Sequence, residues 1–212
     1  MEVLAKLKEL VIQGKDTEAT ELVKNLLEQN LAVEQILNEA LIPAMDEVGE
    51  LFQKGEYFIP EMLVSARAMQ KCMEVIRPKL QEKGVKAQGK VVLGTVRGDL
   101  HDIGKNLVKM MLEGVGFEVI DLGVDAGPEK FVQAVKEHSP QLVGMSALLT
   151  TTMMAMKDII EALKAEGLRQ QVKVMVGGAP IRQEFADEIG ADFYGKDATS
   201  AKDYARKVVG AG

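Results

Sequence analysis

The sequence predicts two domains of different class: an N-terminal bundle of four helices and a doubly wound α/β domain with a five-stranded parallel sheet. Two observations support this prediction. Residues 1–88 hold four of the 20 glycines and residues 89–212 hold the other sixteen. Apolar residues recur at helical spacing before residue 88, whereas short β-branched runs alternate with helical segments after it.

Turn and capping residues divide the first half into four helices. A first amphipathic helix precedes Asp16, which we expect to cap the second. The third is predicted over about 33–52, with Pro43 kinking it. Pro60 then opens the fourth, because proline suits the first turn of a helix. The segment 83–89 is the predicted linker, so the domains are expected to be 1–88 and 89–212.

The second half alternates strands with helices. Short apolar runs predict strands at 90–96, 117–123, 142–147, 172–178 and 192–195. Strands that are apolar throughout, with helices between them, form parallel sheets covered on both faces. Five such units in about 120 residues fit the flavodoxin-like, Rossmann-type strand order 2-1-3-4-5.

Composition and charge indicate which partners and which cellular compartment to expect. The net charge of −6 argues against a general nucleic-acid binder. No apolar run is long enough for a membrane span. Cys72 is the one cysteine, so no internal disulfide demands an oxidising compartment. We therefore expect a cytoplasmic protein without nucleic-acid or membrane partners.

The sequence has two histidines, His101 and His138. This number nearly excludes a metal site built from several histidines.

Unusual residues follow four of the predicted strands, in the segments 97–104, 146–150, 177–180 and 194–198. In an open α/β sheet, the ligand crevice lies beyond the carboxyl ends of the strands. Strands 1, 3, 4 and 5 are neighbours in the predicted order. A long ligand could therefore extend along all four segments.

His101 is the candidate metal ligand. A neutral imidazole binds a metal through one nitrogen, and its other nitrogen usually donates to a carboxylate. Asp99 could accept that hydrogen bond, and Asp102 is the competing acceptor. The alternative interpretation is a loop histidine that binds nothing.

The other candidates are weaker when taken singly. Ser146 and Thr150 offer hydroxyl donors at a strand end, or could form a helix-capping pair. Gly177-Gly178 would let the backbone approach a ligand closely, or could simply form a turn. Gly98 and Gly104 carry little information alone.

Taken together, these segments resemble the vitamin B12-binding domain, through Asp99-x-His101-x-x-Gly104, Ser146-x-Leu148 and Gly177-Gly178. The resemblance implies cobalamin or a related cobamide, bound base-off/His-on: His101 replaces the lower base on cobalt, Asp99 supports His101, and the nucleotide tail occupies a cleft. The cofactor-binding residues implied in this domain are Gly98, Asp99, His101, Asp102, Gly104, Ser146, Leu148, Thr150, Gly177, Gly178 and Ala198.

The helical half resembles the cap module of cobalamin-dependent methionine synthase through the segments 47–52 and 57–61 and Gly55. It is still more similar to the small corrinoid proteins of methanol, methylamine and methoxy-compound methyltransferase systems. The resemblance places Phe52 and Ile59 at the two apolar positions that cover the upper corrin face. Their alternative role is ordinary bundle core.

The resemblance implies a methyl carrier that shuttles a methyl group on cobalt. A substrate-specific methyltransferase would load it, and a second methyltransferase acting on a pterin or thiol would unload it. A reductive activation protein is a further implied partner. The sequence has no zinc triad, cysteine nucleophile or phosphate loop, so we do not expect it to be catalytic alone.

Four other functions fit the sequence less well. A corrinoid-sensing regulatory module normally carries a DNA-binding head, and we expect none before the bundle. The cobalamin subunit of a carbon-skeleton mutase lacks the cap segment. A phospho-acceptor receiver needs an aspartate where this chain has Met145-Ser146. A zinc or iron site at Asp99, His101 and Asp102 has too few strong ligands.

Overall fold

The computed structural model describes residues 2–210; Met1, Ala211 and Gly212, which fall in the predicted domains, lie outside the described residues. The chain forms two compact units. The helical unit holds the residues up to Ala87 together with Glu113–Gly116, and the α/β unit holds Gln88–Leu112 and the residues from Phe117 onward.

Amphipathic helices build the helical unit. They are α1 (Glu2–Ile12), α2 (Asp16–Glu28), α3 (Val33–Ile36), a π-helical turn (Leu37–Leu41), α4 (Ile42–Gln53) and α5 (Ile59–Glu82). Helix α2 packs along α5, and α1 packs against α4 and α2. No helix within residues 2–210 combines the length and apolar character that crossing a bilayer requires.

Asp16 does not cap α2, and that prediction was wrong. Lys15 occupies the capping position, and Asp16 is the first helical residue. Its carboxylate instead lies 3.1 Å from both the Arg67 Nε and the Lys71 Nζ of α5. The ion pairs to a neighbouring helix therefore replace the local cap.

The single kinked helix predicted around Pro43 is an α–π–α segment in the structure. The π-helical turn ends at Leu41, and Pro43 lies in the first turn of α4. Proline has no N–H to donate to the carbonyl four residues earlier. The wider π-helical turn lies directly before this missing hydrogen bond.

The α/β unit alternates strands and helices throughout. Its strands are β1 (Lys90–Thr95), β2 (Glu118–Asp121), β3 (Leu142–Ser146), β4 (Lys173–Gly177) and β5 (Phe193–Gly195). Its helices are α6 (Ile103–Gly114), α7 (Pro128–His138), α8 (Ala155–Ala165), a 3-10 turn (Arg169–Gln171), α9 (Gln183–Ile189) and α10 (Ala198–Val208).

The strand order is β2-β1-β3-β4-β5 and every pairing is parallel. The predicted doubly wound fold is therefore confirmed. The chain moves one way from β1 to β2 and then crosses back to β3, so the order reverses between β1 and β3. Ligand crevices in such sheets open at this reversal, beyond the carboxyl ends of the strands.

Phe131 of α7 belongs to the core on one face of the sheet and is the largest fully buried side chain among residues 2–210. Its side chain is fully buried among residues of β1, β3, β4, α7, α8 and α9. A Cβ atom on Gly94 would lie 2.8 Å from the Phe131 ring, so the strand glycine makes room for the aromatic side chain. Val91, Leu93, Leu142 and Met175 lie outside this cluster and are also buried, as expected for a sheet covered on both faces.

Phe131→Ala should lower the free energy of unfolding by about 3–5 kcal/mol, because it removes apolar contacts and leaves a cavity. Urea denaturation followed by circular dichroism measures the change. Phe185, which packs at the edge of the same core and is only half-buried, is the matched control, and Phe185→Ala should cost clearly less. Equal losses in the two variants would contradict this role for Phe131.

Candidate functional site

The last residues of four strands stand side by side at the carboxyl edge of the sheet. Thr95 pairs with Ser146, Ser146 with Gly177, and Gly177 with Gly195. Each of the four segments singled out in the sequence begins within two residues of one of these positions. The parallel register therefore brings residues that are distant along the chain to one edge of the sheet.

Asp99 and His101 contact each other in the loop between β1 and α6. The His101 Nδ1 lies 2.7 Å from the Asp99 Oδ1, and the backbone N–H of His101 donates to the same oxygen at 3.0 Å. The Thr95 hydroxyl donates to the His101 carbonyl at 3.0 Å. The ring and the backbone of His101 are thus held from both sides.

The second carboxylate oxygen of Asp99 joins this loop to the loop after β3. Its Oδ2 accepts the N–H of Leu148 at 2.8 Å, the N–H of Leu149 at 3.3 Å and the Thr152 hydroxyl at 2.7 Å. The Asp99 side chain is 0% exposed. A single buried carboxylate therefore connects the loops that follow two adjacent strands.

The Asp99 carboxyl is ionised at neutral pH. Burial by itself raises its pKa, but hydrogen bonds from the Thr152 hydroxyl, the Leu148 N–H and His101 outweigh burial and hold that pKa well below its usual range. A carboxylate can only accept hydrogen bonds, so the Nδ1 of His101 must carry the proton. The lone pair for a metal is therefore on Nε2.

His101 is suited to a metal that already has other ligands. Its side chain is 51% exposed, although its Nδ1 faces the buried Asp99. Among residues 2–210, no group of three or more His, Cys, Asp or Glu side chains is arranged to hold a metal ion. One imidazole oriented by a carboxylate fits the axial position of a metal whose remaining ligands come from a cofactor.

The surroundings of His101 fit a broad apolar ligand. Leu100, Ile103, Leu148 and Leu149 are all exposed, although burial would be favourable for such side chains. Leu100 lies in the β1–α6 loop, Ile103 begins α6, and Leu148 and Leu149 lie in the loop after β3. A Cβ on Gly104 would meet no atom within 4 Å, so the first turn of α6 leaves open space. Both the donor set and the apolar surface are compatible with a metal-bearing macrocycle.

Asp102 does not contact the imidazole. Its carboxylate accepts the side-chain amide of Asn106 at 3.0 Å, within the start of α6. Of the two acceptors considered for His101, the structure therefore selects Asp99.

Gly177 and Gly178 bring the loop after β4 against neighbouring backbone. Gly178 has a φ of +126°, and a Cβ there would clash with the Ala147 carbonyl oxygen. A Cβ on Gly177 would lie 3.0 Å from the Gly195 carbonyl oxygen. These glycines thus allow close packing at the carboxyl ends of β3, β4 and β5, whether or not a ligand is bound.

The remaining candidates occupy more varied environments. Ser146 is half-buried and Thr150 is exposed, and the Ala198 side chain is buried at the start of α10. In the helical unit, Phe52 is half-buried and Ile59 is 43% exposed. Ile59 is therefore not ordinary bundle core.

Thr152 was missed by the sequence analysis. It stands in a run of three threonines, Thr150–Thr152, and nothing in the local sequence separates the three. Its closeness to Thr150, two residues away in the same loop, is the one signal in the sequence that could have suggested it. The structure buries Thr152 and directs its hydroxyl to Asp99.

The fold and the site define a class of protein: a doubly wound α/β domain with an exposed, carboxylate-oriented imidazole at the carboxyl edge of its parallel sheet. Comparison with known families agrees. A B12 binding domain model matches residues 89–202, and a second B12 binding domain model matches residues 3–77. The chain belongs to the family of B12-binding corrinoid proteins.

Several relatives are similar over their full length. The trimethylamine corrinoid protein 1 of Methanosarcina acetivorans is 42% identical over 210 residues, covering 98% of this chain and 97% of that protein. A corrinoid protein of Desulfitobacterium hafniense is 40% identical over 213 residues, covering 99% of each.

Two solved structures share the fold of the whole chain. A cobalamin-binding protein from Desulfitobacterium hafniense has a TM-score of 0.81 at 34% identity, covering 97% of this chain and 98% of that one. The methanol:cobalamin methyltransferase complex MtaBC from Methanosarcina barkeri contains a chain with a TM-score of 0.87 at 29% identity, covering 100% of this chain and 81% of that one.

Thr152→Val should lower the free energy of unfolding by about 1–3 kcal/mol, because the buried Asp99 carboxylate loses a donor. Urea denaturation of the ligand-free protein measures this loss. Thr151→Val is the matched control: its hydroxyl is exposed, and we expect a change within about 0.5 kcal/mol. A Thr152 variant as stable as the control would contradict the proposed importance of this hydrogen bond.

Gly178→Ala should destabilise the protein by about 2–5 kcal/mol through backbone strain and the clash with Ala147. Gly190→Ala separates the two effects, because Gly190 also has a positive φ but its Cβ would meet no atom within 4 Å. Strain alone should cost about 1–2 kcal/mol there. Thermal or urea unfolding provides the comparison, and equal losses would rule out the clash.

Proposed function

We propose that this protein is a methyl carrier, which holds a corrinoid and moves a methyl group on its cobalt between two methyltransferases. The observation that carries the proposal is the exposed His101 imidazole held by the buried Asp99 carboxylate. The names of the relatives, which are corrinoid proteins of trimethylamine and dimethylamine systems, support the same function.

His101 would bind the cofactor in the base-off/His-on state. Asp99 keeps the proton on Nδ1 and so leaves Nε2 free for cobalt. A carboxylate in this position also makes the imidazole a better donor. The contacts of Asp99 with Leu148 and Thr152 would keep the ring in one orientation while the partner enzymes change.

The other residues of the α/β unit would bind the rest of the cofactor. Exposed apolar side chains next to His101 would contact the corrin ring and exclude water. Residues at the carboxyl ends of β1, β3 and β4 would bind the nucleotide tail. The residues proposed for this role are Gly98, Asp102, Gly104, Ser146, Leu148, Thr150, Gly177, Gly178 and Ala198.

The helical domain, proposed to span residues 1–88, would contribute Phe52 and Ile59 as apolar contacts to the cofactor. The B12-binding domain would span 89–212. The exposure of Ile59 in the helical unit supports its assignment, because an exposed isoleucine gains from a binding partner.

The chain's own residues bind, orient and shield, and none is proposed to be catalytic. When bound, the corrinoid supplies the cobalt that accepts and releases the methyl group. Methyl loading would need a substrate-specific methyltransferase, and unloading a second enzyme that uses a pterin or thiol. The name of the MtaBC complex supports a methyltransferase partner. A reductive activation protein, a cytoplasmic location and the lack of nucleic-acid and membrane partners stay predictions.

His101→Ala should abolish the histidine-ligated absorption spectrum of protein loaded with hydroxocobalamin, while binding through the nucleotide tail persists. His138→Ala is the matched control, since His138 is the other histidine and ends α7, and its spectrum should equal that of the wild type. Electron paramagnetic resonance of the Co(II) form, recorded with nitrogen-15-labelled protein, provides a second measurement, because only an axial nitrogen from the protein then gives an altered splitting.

Asp99→Asn in the same experiment should weaken ligation by about 10–100-fold, as is typical for partners of ligating histidines. A His101→Ala spectrum identical to the wild-type spectrum would refute axial ligation by His101. Methyl transfer from methylamines or methanol, assayed with the partner enzymes, then tests the carrier role against that of a corrinoid sensor.

A further inference from the structure

Asp125 has an unusual backbone conformation in the loop between β2 and α7. Its φ is +50°, in the left-handed region that non-glycine residues rarely adopt. Among residues 2–210, two other non-glycine residues share this feature. Asn30 follows the end of α2, and Ser139 follows the end of α7, where left-handed residues are common. Asp125 ends no helix, so its conformation needs another reason.

That reason is a pair of hydrogen bonds to the β1–α6 loop. The Asp125 Oδ1 accepts the backbone N–H of Gly98 at 2.8 Å. The Asp125 N–H donates to the carbonyl of Asp99 at 3.1 Å. Asp125 therefore holds two consecutive residues of the loop from its side chain and its backbone together.

The segment that Asp125 holds is a tight turn. The Asp99 N–H donates to the Val96 carbonyl at 3.1 Å, and Gly98 has a φ of +81° at the third position of this turn. The turn sets the direction in which the Asp99 side chain leaves the backbone. Since Asp99 orients His101, a change in the conformation of this turn would also change the orientation of the imidazole.

The residue type fits this task. Aspartate and asparagine tolerate the left-handed region, and both offer a short side-chain acceptor. Glycine adopts the conformation but has no acceptor, and alanine lacks both properties. We propose that Asp125 is a positioning residue that holds the Gly98–Asp99 turn so that Asp99 presents His101 to the corrinoid cobalt. The claim that His101 binds the corrinoid cobalt rests on the function proposed above.

Three substitutions of Asp125 separate its two properties. Asp125→Asn keeps the conformation and the acceptor and should behave as the wild type. Asp125→Gly keeps the conformation alone, and Asp125→Ala keeps neither. Asp187→Ala is the control for loss of an exposed aspartate, because the Asp187 carboxylate accepts a hydrogen bond from Gln183 within α9. Thermal unfolding identifies any variant that fails to fold. If Asp125→Ala does not fold, the proposal is tested with Asp125→Gly, which carries no backbone strain.

The first readout uses the full chain titrated with hydroxocobalamin. In Asp125→Gly and Asp125→Ala, the affinity for the histidine-ligated form should fall about tenfold, the lower end of the effect of an outer-shell contact. The Asp125→Asn and Asp187→Ala variants should keep the wild-type spectrum and affinity. Wild-type behaviour of either Asp125→Gly or Asp125→Ala overturns the proposal, and so does an Asp125→Asn variant as impaired as Asp125→Ala.

The second readout uses ligand-free protein and does not depend on the proposed function. Nitrogen-15 NMR of the His101 ring should report the Nδ1-protonated tautomer in the wild type and Asp125→Asn, and a mixture of tautomers in Asp125→Gly and Asp125→Ala. Should wild-type protein bind no cobalamin through histidine, the proposed function fails, and the tautomer measurement still decides whether Asp125 positions His101. An unchanged tautomer in Asp125→Ala and Asp125→Gly overturns that role.

Discussion

The buried carboxylate of Asp99 is the contact on which the candidate site depends. One oxygen accepts from the ring and backbone of His101, and the other accepts from Leu148, Leu149 and Thr152. A buried charge without such partners is strongly destabilising. The loops after β1 and β3 must therefore close around Asp99 for the fold to be stable. The orientation of the imidazole is thus maintained by the contacts that stabilise the sheet edge itself.

In the proposed function, the chain provides one metal ligand and the cofactor provides the reactive metal. A single imidazole is too poor a ligand set for a bare metal ion, but it suffices as one axial ligand of a macrocyclic metal complex. The chain supplies an oriented imidazole and an apolar surface on which Leu100 and Ile103 are exposed. The carrier function proposed above would need a reactive centre that two enzymes can reach.

Local patterns predicted the elements well and their long-range contacts poorly. Strand order and helix positions followed from periodicity and from alternating βα units, both of which are properties of neighbouring residues. Asp16 was assigned as a cap because capping is a local preference, and its ion pairs with Arg67 and Lys71 lie more than 50 residues away. Thr152 was missed for the same reason, since its bond to Asp99 spans 53 residues.

The sequence by itself determined the fold class, the edge of the sheet that carries the site, and His101 as the candidate ligand, because each depends on residue type and on position relative to a strand. The resemblance already favoured Asp99 over Asp102 as the partner of His101, and the structure confirms the contact. Only the tertiary structure decided that Thr152 among three threonines reaches the carboxylate and that Asp125 contacts the turn. These choices depend on distances between loops from different strands, and spacing along one chain does not encode such distances.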